Sequence, residues 1–169
     1  MESVPQFGER CPGVDYRDRP SAYGLIANGQ GLLLVCRTPQ SAMLPGGGVD
    51  PGESLADALV REVAEETGLV VTSSRLLCRA NQYIRALDKE VYYNKLAYFY
   101  LTKAEDRGYP PIDDDHEMLW LDGGEAIGLL SHEFNCWAVA RWREKLKGGT
   151  DDVDEKARGL RGRDLCRAG

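Results

Sequence analysis

The chain is 169 residues long, 43% hydrophobic and 28% charged, enough for one buried core and too ordinary for a disordered or fibrous protein. Its formal net charge of −6 gives no general attraction to nucleic acid or anionic lipid. Five cysteines at wide spacings, with no CxxC pair, argue against a disulfide framework or a zinc site and for free thiols in a reducing compartment.

The opening MESVPQFGER has neither a basic n-region nor an apolar h-region, so no signal peptide is expected, and residues 1–20 read as extended chain or loop. Ser21–Ala27 and Gly31–Arg37 are apolar runs around Asn28-Gly29-Gln30-Gly31, which predicts a β-hairpin. Thr38–Met43 reads as a loop, and Leu44-Pro45-Gly46-Gly47-Gly48 as irregular chain that permits close approach of the backbone. Glu53–Thr67 predicts a helix, with Ser54 as its cap and Gly68 as its stop. Strands are expected at Leu69–Thr72, Leu76–Tyr83 and Val91–Leu101, the last apolar on both faces and therefore central. An acidic loop, Asp113–His116, precedes a short strand at Met118–Leu121. Helices follow at Gly124–Leu130 and Ser131–Lys147, and Trp120, Trp137 and Trp142 read as packing residues.

Residues 148–169 carry five acids, five bases and few apolar groups, so they read as a flexible tail. Residues 1–147 then form one α/β (α+β) domain, a mixed sheet between helical layers. No apolar run is long enough to cross a bilayer, and a cytoplasmic protein is the expectation.

The acids are concentrated. Gly47–Leu69 holds six of them against one base, Arg61. With Glu62 set at 0° on a helical wheel, Glu66 falls at about 40° and Glu65 at about 300°. Ala56, Leu59, Val60 and Val63 occupy the adjoining arc, from roughly 60° to 160°. A carboxylate cluster bordering a core stripe is costly unless it is protonated or shares a cation. Hard divalent ions take oxygen ligands and keep positions open for water and phosphate. Loop and helix together suggest a site for metal-bound phosphate.

The segment GGVDPGESLADALVREVAEETGL resembles the Nudix box, G-x5-E-x7-R-E-U-x-E-E-x-G-U with U aliphatic. Gly47, Glu53, Arg61, Glu62, Val63, Glu65, Glu66, Gly68 and Leu69 fill its nine specified positions. The resemblance implies an α/β/α sandwich with a central mixed sheet. It implies hydrolysis of a pyrophosphate bond in a nucleoside diphosphate derivative. It assigns Glu62, Glu65, Glu66 and the Gly46 carbonyl to Mg²⁺ or Mn²⁺, and Arg61 to orienting a neighbouring glutamate. Glu66 and Glu62 are then the principal metal ligands and Glu65 a ligand or base, one of these glutamates or one from a later loop activates the attacking water, and Glu53 supports the helix start or a second metal.

Outside the box, Glu117 is the first candidate for a further acid, metal ligand or base, and Asp115 the second. His116 reads as a surface histidine. Arg19 and Arg37 are candidates for substrate phosphate, with Gly47 beside them. The first substrate expectation is a nucleoside triphosphate, in normal or oxidised (8-oxo-dGTP-type) form. ADP-ribose, dinucleoside polyphosphates, cleavage at an RNA 5′ end and a nucleotide sensor without turnover are the alternatives. A small nucleotide as partner, no membrane, no nucleic acid and a homodimer complete the expectation.

Overall fold

The structure, a computed structural model, describes residues 3–86 and 91–148. The tail expected at 148–169 lies outside these residues apart from Gly148. In chain order the elements are β1 (Gln6–Phe7), β2 (Arg17–Ile26), β3 (Leu33–Arg37), β4 (Ala42–Met43), β5 (Gly46–Gly48), α1 (Leu55–Thr67), β6 (Val70–Ala86), β7 (Val91–Glu105), β8 (Glu117–Leu121), α2 (Gly123–Leu129) and α3 (Glu133–Gly148).

Two sheets form. The larger is mixed and runs β1-β6-β7-β2-β5, with β7 at its centre as its two-sided apolarity requires. The smaller runs β4-β3-β8. On one face of the large sheet, Ala22, Ile26 and Leu34 meet Ala58, Leu59 and Val63 of α1. On the other, Tyr23, Leu25 and Phe99 meet Phe134, Ala138, Val139 and Trp142 of α3. The rings of Tyr23, Phe99 and Phe134 lie 5.5–5.6 Å apart, centroid to centroid, and anchor that second core. The result is the mixed sheet between helical layers that the pattern implied.

Several local expectations give way. The turn at Asn28 is real: its side-chain oxygen accepts from Gln30 N and Leu32 N, and Ala27 bridges Leu33. The strands then part, however, so there is no simple hairpin. β2 pairs in parallel with β7, while β3 pairs with β8. β2 also starts at Arg17, inside the stretch read as loop. The two strands expected between 69 and 83 are one, β6, interrupted only by irregular register at Val71/Ser73 and Leu76/Cys78. Gly46–Gly48 is a strand rather than irregular chain, because its backbone pairs with Ser21–Tyr23 and needs no side chain to do so. Trp120 is 38% exposed and is no packing residue, since it lies on the solvent face of β8.

The aromatic triad sets the stability of the α3 layer. Phe134→Ala is expected to lower the unfolding free energy by about 3–5 kcal/mol in urea titration. A loss below about 1 kcal/mol would remove this triad as the anchor.

Candidate active site

The glycine strand and the acidic helix are placed against each other by their own chemistry. Ser54 accepts from Asp57 N at 3.1 Å and starts α1; Gly68 ends it at φ 72°. A Cβ at Gly46 would lie 2.7 Å from Tyr23 Cα, and one at Gly47 would lie 2.6 Å from the Glu62 carboxyl carbon. Only glycine lets β5 lie this close to β2 and to the helix.

The buried face of α1 is formed by Ala58, Leu59, Val63, Glu66 and Thr67. Ala56 and Val60, expected beside them, are exposed. The apolar arc is thus turned toward Glu66, which lies within the buried face rather than at its border. Glu66 is 9% exposed, and its Oε2 accepts from Gly46 N at 2.9 Å. Burial pushes its carboxyl up to about 8, against the Gly46 bond and with help from Glu62, Asp113 and Glu65. Burial also raises the Glu62 carboxyl. The buried Cys36 thiol is raised by desolvation and by Glu66, which leaves it unreactive.

Arg61 is the cation that relieves the outer acids. Its Nε donates to Glu53 at 2.8 Å, and its Nη1 to Glu62 at 2.9 Å and Glu65 at 3.1 Å. Its Nη2 donates to Glu53 at 2.9 Å and to the Gly48 carbonyl at 3.0 Å. The side-chain bond from Arg61 holds Glu53 down at about 2. One guanidinium cannot neutralise Glu53, Glu62, Glu65 and the nearby Asp50, and Glu66 is outside its reach.

The acidic loop delivers different residues from those expected. Ile112 N and Asp113 N both donate to the Glu65 carbonyl, at 2.8 and 2.9 Å, which ties the loop to the end of α1. His116 is no surface histidine: its Nε2 stands 3.5 Å from Glu66 Oε1, with the side chain 17% exposed. Its Nδ1 lies 3.0 Å from Asp115 Oδ1, without the angle of a true hydrogen bond. Glu117 accepts from Arg37 Nε, its cross-strand partner, at 3.0 Å, both side chains being about half exposed. Arg37 is therefore engaged by Glu117, while Arg19 lies beside Gly48 at the glycine strand. Asp113 and His116 were missed, although the run Asp113-Asp114-Asp115-His116 carried a signal for both.

Among the described residues no three His, Cys, Asp or Glu side chains stand in ready-made metal-ligating geometry. The donor set nonetheless fits a hard cation. Two carboxylates with raised pKa share one edge of a helix, and Arg61 engages only one oxygen each of Glu62 and Glu65. None of these residues lines the groove of about 470 Å³ between Ser3–Pro5, β6 and α3.

Residues 17–142 match the family model described as the NUDIX domain. The RNA pyrophosphohydrolase of Erythrobacter litoralis is 34% identical over 76 residues, 42% of this chain and 46% of that protein. The chain thus spans less than half the length of this curated relative. A NUDIX hydrolase from Nitrosomonas europaea superposes with a TM-score of 0.60 at 16% identity, over 76% of this chain and 90% of that one. An Ap4A hydrolase of C. elegans gives 0.61 at 21% identity, over 77% and 98%. These two likenesses speak for the fold. No helix among the described residues is long and apolar enough to cross a membrane.

The raised Glu66 carboxyl has a pH signature. Folding favours its protonated form, so the stability linked to it is complete below about 4.5 and is lost as pH climbs through about 8. In metal-free protein, the stability of wild type relative to Glu66→Gln is expected to fall by a few kcal/mol across that window. Denaturant titrations at several pH values check this, and parallel curves for the two proteins would count against it.

Proposed function

The chain belongs to the NUDIX domain family, and from that premise we propose that it is a metal-dependent hydrolase of a pyrophosphate bond in a nucleotide, acting on a nucleoside 5′-triphosphate. The observation that carries this reading is the placement of Glu62 and Glu66 against the glycine strand, with Glu65 tied to Glu62 through Arg61. There Glu66 is buried against Gly46 N, and Arg61 balances only part of the charge. Residues 1–147 form the catalytic domain.

Glu62 and Glu66, with Glu65 and the Gly46 carbonyl, would hold Mg²⁺ or Mn²⁺. When bound, such an ion supplies Lewis acidity toward phosphoryl oxygens and lowers the pKa of water. The chain's own residues do the rest. Arg61 restrains Glu62 and Glu65 through its single Nη1, which donates to one oxygen of each and leaves their other oxygens free to bind. One of these two carboxylates accepts the proton of the attacking water. Glu117 would have to leave Arg37 to share that task. His116 and Asp113 close the site around Glu66. The glycines of β5 let a phosphate approach the backbone where any side chain would block it.

A second reading takes the 5′-triphosphate end of an RNA as substrate. It is favoured by the name of the Erythrobacter litoralis relative, and the same chemistry would serve it.

Glu66→Gln is expected to reduce turnover at least about a hundredfold, with the circular dichroism of the fold unchanged. The assay is release of pyrophosphate or phosphate from a panel of nucleotides and a 5′-triphosphorylated RNA, with products identified by mass. A variant as fast as wild type would remove Glu66 from the site. Chelating divalent ions is expected to abolish turnover in the same assay, and Mg²⁺ or Mn²⁺ to restore it. Full activity in a chelator would overturn the metal assignment.

A further inference from the structure

On the face of the large sheet that carries α3, two cations stand side by side. Arg19 of β2 and Lys95 of β7 are direct cross-strand partners, and Lys95 is in turn paired with Gln82 of β6. Like charges placed opposite each other on one face are destabilising. Aromatic rings hold both in place: the Arg19 guanidinium lies 5.6 Å from the centre of the Tyr93 ring, and Lys95 Nζ donates to Tyr23 Oη at 3.1 Å. Neither has a carboxylate partner among the described residues. Burial, and then Lys95 beside it, lower the His132 pKa below its ordinary value, and the Gln82 amide oxygen accepts from Phe134 N at the start of α3.

The position of this pair relative to the box gives it a purpose. β5 is an edge strand of three glycines. A Cβ on Gly47 would strike Glu62, on the α1 side. A Cβ on Gly48 would stand 2.5 Å from Arg19 Nη2, on the α3 side. The bare strand β5 thus has Glu62 against one face and Arg19 against the other, with Lys95 one strand further in, on β7. A phosphate chain laid across that bare edge from the carboxylate side would meet Arg19 first and Lys95 beyond it.

We propose that Arg19 and Lys95 form an anion site that holds a phosphate of the substrate other than the one attacked, and so favours substrates with a chain of three phosphates over those with two. The proposal rests on the hydrolase reading above for its substrate, but on the cross-strand pair for its location.

The test is calorimetric titration of the full chain with inorganic triphosphate in a chelator, beside kinetics with a nucleoside triphosphate and Mg²⁺. Wild type is expected to bind triphosphate, and Lys95→Met and Arg19→Met at least about tenfold more weakly. Arg75→Met, at the far end of β6, is expected to bind as wild type does. In turnover, Lys95→Met is expected to raise KM at least about tenfold with kcat within about threefold. Without anions, Lys95→Met is expected to melt no lower than wild type, because the repulsion is gone; a purely structural lysine would give a lower Tm. Lys95→Gln, which removes the charge and keeps a donor for Tyr23, serves if the methionine variant does not fold. Unchanged triphosphate affinity and KM in the Lys95 variants, with wild type turning over normally, overturn the anion site and leave the hydrolase reading intact. Lys95-dependent triphosphate binding without hydrolysis of any nucleotide does the reverse.

Discussion

Arg61 decides how this site is built. One guanidinium donates to three carboxylates and to the backbone of the glycine strand, so it sets the distance between α1 and β5 as well as the rotamers of Glu53, Glu62 and Glu65. Without it, Glu62 and Glu65 on adjacent turns of the helix, with Glu53 beside its start, would repel one another and turn toward solvent. With it, the outer acids are ordered, while Glu66 is left to the interior. Charge and burial are thereby divided: the partly buried acids are paired with a cation, and the most deeply buried one is held by one backbone N–H and by the hydrophobic layer around it.

The glycine strand is the complementary constraint. Because β5 has no side chains, the sheet edge, the helix and Arg19 all approach within van der Waals range of the same three residues. Substituting any of the three would push apart the groups that meet there.

Much of this was legible, and the reasons differ from residue to residue. Ser54 and Gly68 announce the bounds of α1 because capping is local chemistry, settled within three residues. The central place of β7 follows from its two apolar faces. The fate of β2 and β3 was hidden because pairing is settled by distant strands: a genuine Asn28 turn joins them, yet β7 and β8 claim them for different sheets. Gly46–Gly48 reads as loop because strand propensity measures side chains, and these residues pair by backbone alone. In the site, the box residues were visible through their spacing. Lys95 was concealed in an apolar strand pattern, and His116 and Asp113 in a run of acids whose orientation only the loop geometry reveals.

The two backbone bonds from Ile112 and Asp113 to the Glu65 carbonyl have a wider consequence. They fasten the far loop to the reactive helix through groups that every residue except proline possesses. The side chains of that loop, such as the well-exposed Tyr109 and Ile112, are therefore at liberty to diverge without unmooring it. Sequence drift at those exposed positions therefore leaves the loop moored to the carboxylate-bearing helix.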